Sequence, residues 1–116
     1  MQQESFRPLR IGEQLSRELA ALLRAEVKDP RIPEIVIYDI VVSKDLSLAK
    51  VYYSHLDIRQ DATESLKGLQ SASGFLRTRL SNRLNLRKIP RLRFIVDDTE
   101  TKSARIEKLI ESSANR

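Results

Sequence analysis

Residues 35–56 read IVIYDIVVSKDLSLAKVYYSHL, and the architecture turns on them. β-branched and aromatic residues dominate, so the stretch predicts strands. Lys44-Asp45-Leu46-Ser47 interrupts it and reads as a hairpin turn. Residues 35–43 and 48–56 therefore pair antiparallel. In the second strand Ala49, Val51 and Tyr53 point one way, and Lys50, Tyr52 and Ser54 the other. The first strand has a fault in its alternation. Ile35 and Ile37 share one face, while strict counting puts Ile40 and Val42 on the opposite face. A one-residue bulge near Tyr38-Asp39 returns all four to one side; a strand buried on both faces is the competing reading.

Outward from the hairpin the period becomes helical. Upstream, Ile11, Leu15, Leu19, Leu22 and Leu23 recur at spacings of three and four, which predicts a helix from Leu9. Asp29-Pro30 ends it, because the residue before proline is pushed out of the helical region. Downstream, Asp61 or Asp57 is placed to cap a second helix, whose apolar phase runs through Leu66, Leu69, Leu76, Leu80 and Leu84. A straight helix from Asp61 to Arg87 would measure roughly 40 Å at ~1.5 Å per residue. That exceeds the ~35 Å diameter expected of a compact chain of this length. The expectation is two helices, or one bent helix, jointed at Ala72-Ser73-Gly74. Pro90 stops this element, residues 92–96 form a third strand, and residues 101–112 form a short C-terminal helix. The fold class is α+β in a single domain spanning 9–112, with 1–8 and 113–116 as flexible tails.

Charge is distributed unevenly along this layout. No acidic residue lies between Glu64 and Asp97, yet the interval holds Lys67, Arg77, Arg79, Arg83, Arg87, Lys88, Arg91 and Arg93. These eight charges exceed the net charge of the chain, +5, so the remainder sums to −3 (13 basic minus 16 acidic). A basic segment without local acids, beside small residues, suits a polyanion, nucleic acid first. On a helical wheel Arg79 and Arg83 flank the leucine arc on one side and Arg77 on the other. Thr78, Ser81 and Asn82 leave the far face uncharged, which permits close approach to a phosphate backbone. Arg77, Arg79, Arg83, Arg87, Lys88 and Arg91 are the candidate nucleic-acid-binding residues, with Arg93 extending the patch.

Other functions find little support. The chain has no cysteine, which excludes disulfides and thiolate chemistry. No apolar run reaches the ~20 residues of a membrane span, and the N-terminus lacks the apolar core of a signal peptide, so a cytoplasmic location is expected and no membrane partner. No nucleotide-binding loop, metal motif or cofactor fingerprint is present; no cofactor, metal or small-molecule substrate is expected. The single histidine, His55, is more simply structural than catalytic. Asp97-Asp98 permits a two-carboxylate metal reading, but a polar strand end explains it as well. Charge alone leaves open a DNA-binding protein and a basic interaction module docking another polyanionic partner.

The order and spacing of several short motifs resemble one family. They are Asp29-Pro30-Arg31-Ile32, Val42-Ser43-Lys44-Asp45-Leu46, Ala49-Lys50-Val51-Tyr52, Ala72-Ser73-Gly74-Phe75-Leu76-Arg77, Pro90-Arg91-Leu92-Arg93-Phe94 and Asp97-Asp98-Thr99. Together they resemble the bacterial ribosome-binding factor A family. The resemblance implies a type II KH-like domain, α-β-β-α-kink-α-β, with the usual GXXG loop replaced by an Ala-x-Gly kink at Ala72-Ser73-Gly74. It implies a non-enzymatic ribosome maturation factor that binds 16S rRNA in the immature 30S subunit, assists late processing and assembly, and supports growth in the cold. A monomer is expected.

Overall fold

The computed structural model describes residues 2–57 and 59–96, with side chains from Arg7 onward. The elements follow the order α1 (Gln2–Ala25), β1 (Ile35–Val42), β2 (Leu48–His55), α2 (Ala62–Arg83) and β3 (Arg91–Val96). The sheet order is β1-β2-β3. β1 pairs antiparallel with β2, and β3 adds parallel to β2 after the α2 crossover. The C-terminal helix expected over 101–112, Asp97-Asp98 and the tail 113–116 lie outside the described residues.

The predicted bulge is present. Ile37 faces Tyr53 and Asp39 faces Tyr52, so Tyr38 is the extra residue. Ile35, Ile37, Ile40 and Val42 consequently all turn inward, while Val36, Tyr38 and Val41 are exposed. Both helices cover that inner face. Leu15, Leu19 and Leu22 of α1 meet Ala49, Val51 and Tyr53 of β2 and Leu69, Leu76 and Leu80 of α2, all without solvent contact. A half-period shift in any of these elements would turn its apolar set to water, so burial enforces the register.

Two expectations are corrected. Helix α1 starts at Gln2 rather than Leu9 and carries Pro8 in its second turn. Inside a helix, proline removes one hydrogen bond and crowds the carbonyl four residues earlier, a cost that α1 bears without ending there. Helix α2 is not split at Ala72-Ser73-Gly74; it runs unbroken through all three. The helix is shorter and the molecule wider than that expectation assumed. The helix stops at Arg83, so its 22 residues span about 33 Å. The molecule is also a slab, 46 × 44 × 17 Å, rather than a sphere. Ser73 and Thr78 bond back to the carbonyls of Leu69 and Gly74, at 3.1 and 3.0 Å, bonds of the kind that bend a helix without dividing it.

Local chemistry explains the boundaries. Asp61 caps α2 by accepting from the Thr63 amide at 2.9 Å. In the hairpin turn Leu46 takes φ 63°. The Asp45 carboxylate accepts from the hydroxyls of Ser43 and Ser47, both at 2.7 Å, and from the Ser47 amide at 3.1 Å. Those bonds, to Ser47 first and then Ser43, hold the Asp45 carboxyl down to about 2.

Candidate nucleic-acid interface

The arginines of the acid-free segment divide into two groups. Three of them are bound internally. Arg83 pairs with Glu18 at 3.2 Å and with Glu26 at 3.1 Å. Arg79 pairs with Glu26 at 3.3 Å and lies 5.1 Å from the Phe75 ring centroid. The acids missing from the segment are thus supplied by α1 and the residue that follows it, and the pairs tie the two helices together across the surface. Arg77 is half-buried and donates to the Ile89 carbonyl at 3.1 Å; its buried Nε has no partner among the described residues. This contact clamps residues 84–90 onto α2, and Ile89 and Pro90 beneath it are buried.

The clamped loop presents the second group. Arg87, Lys88, Arg91 and Arg93 are exposed. Arg87 and Lys88 border a hollow of about 200 Å³ that Arg7, Asp45 and Ser47 also line. Arg91 and Arg93 border a wider trough of about 530 Å³ that reaches Gln70 on α2 and also includes Ser47. Ser47 joins the two depressions into one track along the β3 edge. Five cations line it against one carboxylate, Asp45, and that carboxylate is already engaged with two serine hydroxyls. Strand alternation sends Arg91 and Arg93 the same way. Lys50, which faces Arg93 across the β2–β3 pair, joins them.

Gly74 is exposed beside this region, one turn from Gln70. A Cβ placed there meets nothing within 4 Å, so it packs against no other element of the fold. The closely approached glycine of α2 is Gly68, where a Cβ would sit 2.7 Å from Ile32 Cγ1. Arg7 is the contributor that the sequence reading missed, since it falls in the segment taken for a tail.

His55 is buried. Its Nε2 lies 2.8 Å from Ser65 Oγ, which in turn lies 2.9 Å from the Tyr53 hydroxyl. Ser65 and Tyr53 have no solvent exposure, so this Ser–His contact joins β2 to α2 and offers no route to a substrate. Burial raises the Tyr53 hydroxyl above its ordinary range, partly offset by Ser65. Among the described residues no group of three or more acids and histidines is placed to hold a metal ion, and no helix is long and apolar enough to cross a membrane.

Comparison with known proteins agrees with the fold. A family model described as ribosome-binding factor A matches residues 7–110. The ribosome-binding factor A of Thioalkalivibrio sulfidiphilus is 42% identical over 113 residues, covering 97% of this chain and 88% of the relative. That of Nitrosospira multiformis is 44% identical over 113 residues, covering 97% and 90%. The crystal structure of ribosome-binding factor A from Thermus thermophilus superposes with a TM-score of 0.70 at 29% identity, covering 77% of this chain and 93% of that one. A second Thermus thermophilus model of the factor, fitted into a cryo-EM map of its complex with the 30S subunit, gives 0.62 at 31% identity, covering 72% and 88%. The shared architecture is KH-like. With the match running through nearly every element described above, the chain belongs to the ribosome-binding factor A family.

Proposed function

We propose that this protein is an assembly factor of the small ribosomal subunit that binds 16S rRNA in the immature 30S particle and assists its late processing and assembly. The observation that carries the reading is the track of Arg7, Arg87, Lys88, Arg91 and Arg93 along the β3 edge. Its cations are exposed and unpaired among the described residues, so they bring full charge to a phosphate backbone. Arg77, Arg79 and Arg83 position that track rather than contact RNA: Arg77 holds the loop, and the other two hold α2 against α1. Structured RNA read by shape and phosphate, without base readout, suits a surface of arginines and short hydroxyl side chains. The Thermus protein in its 30S complex supports the subunit as the particle, and the family name supports ribosome binding. The protein then works in the cytoplasm, as a binder rather than a catalyst and without a cofactor.

Co-sedimentation tests the reading. The protein should travel with free small subunits in a sucrose gradient and not with mature ribosomes. Its log–log salt dependence should be steep, falling by about one unit for each track cation removed. Salt-independent binding, or equal binding to mature ribosomes, would contradict it.

A further inference from the structure

The outer edge of β1 is closed at one end and open at the other. Leu56 donates to the Glu34 carbonyl at 3.2 Å, which makes Glu34–Leu56 a hydrogen-bonded pair. Antiparallel pairs alternate between bonded and non-bonded. Ile35 faces His55 and Ile37 faces Tyr53, so the N–H and C=O groups of Ile35 and Ile37 point away from β2. Beyond the bulge the same alternation, set by the Ser43–Leu48 bond of 2.9 Å, also turns Ile40 outward. There α1 closes the edge: the Ile40 carbonyl lies 3.0 Å from where a Cβ on Gly12 would stand. At Ile35 and Ile37 a cavity of about 420 Å³ opens between the strand and the last turns of α1. Leu23, Val27 and Ile32 supply its apolar wall, and the exposed Arg24 and Glu34 border it. No hydrogen bond outside the β1–β2 ladder reaches the Ile35 or Ile37 backbone among the described residues.

We propose that this half-edge docks an extended segment of a protein partner, which adds as a fourth strand beside β1 and seats an apolar side chain in the cavity. Outward donors and acceptors repeating every second residue are matched by another polypeptide strand, the mode of β-augmentation. The charges on the rim point the same way. A phosphate chain attracted by Arg24 is repelled by Glu34, whereas a peptide places an acidic residue at the first and a basic one at the second. The open edge admits about four residues at ~3.3 Å each. The proposal rests on the small-subunit reading, and the partner is therefore a protein of that particle. β1 and β3 are opposite edges of the sheet, so the molecule would bridge protein on one edge and RNA on the other.

Two variants isolate the site. Ala20→Phe places a ring in the cavity from its α1 wall, and Arg24→Glu reverses the rim charge at an exposed position. Binding is measured to intact free small subunits and to protein-free 16S rRNA, with helical content by circular dichroism confirming that each variant folds. Both variants should bind intact subunits about tenfold more weakly, a loss of ~1.4 kcal/mol, and should bind the protein-free RNA as the parent does. Parent-like binding to intact subunits, or equal losses on both particles, would overturn the proposal. A parental dimer that Ala20→Phe dissolves would also overturn it, by giving the edge to a second copy. Parent protein that binds neither particle would instead sink the small-subunit reading itself.

Discussion

Gly68 and Gly74 stand six residues apart on α2 and have opposite surroundings. At Gly68 the turn from Asp29 to Ile32 lies against the helix backbone, and a Cβ would meet Ile32 Cγ1 at 2.7 Å and Arg31 Cβ at 3.2 Å. Arg31 has little freedom to yield, because Asp29 holds its guanidinium at 2.7 Å. Gly68→Ala should therefore lower the melting temperature, with overpacking of ~1–3 kcal/mol outweighing the ~1 kcal/mol of helix propensity recovered. Gly74→Ala meets only solvent and should raise it; the opposite order of melting temperatures would contradict the packing described. Ser65 offers a second case. Ser65→Ala leaves the Tyr53 hydroxyl and His55 Nε2 buried without their partner, and denaturant titration should show a loss of ~1–3 kcal/mol. An unchanged midpoint would mean that the triad adds nothing. In the sequence Gly74 drew notice because it sits in a run of small residues, whereas Gly68, Ser65 and His55 gave no sign of their contacts. Their importance comes from residues distant in the chain, Ile32 for Gly68 and Ser65 for His55, and local pattern carries no record of that.

The strands were more legible than the helices. A single fault in a period-two pattern pointed to a bulge near Tyr38-Asp39 or to a strand buried on both faces, and the register, with Tyr38 as the extra residue, selects the bulge. The hairpin turn was legible for the same reason, as polar residues between two strands. The end of α2 was not. Its apolar phase continues to Leu84, and what stops it is the fold of residues 84–90, pinned by the Arg77–Ile89 bond. The turn also predicts a pH response. The Asp45 carboxyl sits at about 2 in the folded protein against an ordinary 3.8. A depressed acid contributes stability above its ordinary value and loses it as the pH falls toward the folded one. Parent protein should therefore lose more stability between pH 5 and pH 2.5 than Asp45→Asn does, as read from urea midpoints. Parallel losses in the two proteins would show that the turn bonds contribute nothing to folding.

Across the molecule, charge in sequence and charge in space diverge. The acid-free interval contains the four exposed cations of the proposed track, Arg87, Lys88, Arg91 and Arg93. It could not separate them from Arg79 and Arg83, whose acids, Glu18 and Glu26, come from a segment more than fifty residues earlier. Nor could it supply Arg7, which joins the track only because α1 extends back to Gln2. Within one run of arginines, some are tied into the fold and others stand exposed, and on the proposed function only the exposed ones bind RNA. Salt-dependent binding to free small subunits tests this most directly, comparing Arg87→Ala/Lys88→Ala/Arg91→Ala with Arg79→Ala/Arg83→Ala. The triple variant should bind weakly, with a log–log slope smaller by about three units, and should melt near the parent. The double variant should keep the parental slope while losing roughly 1 kcal/mol or less of stability, as half-exposed ion pairs do. A parental slope in the triple variant together with a reduced one in the double would contradict the account.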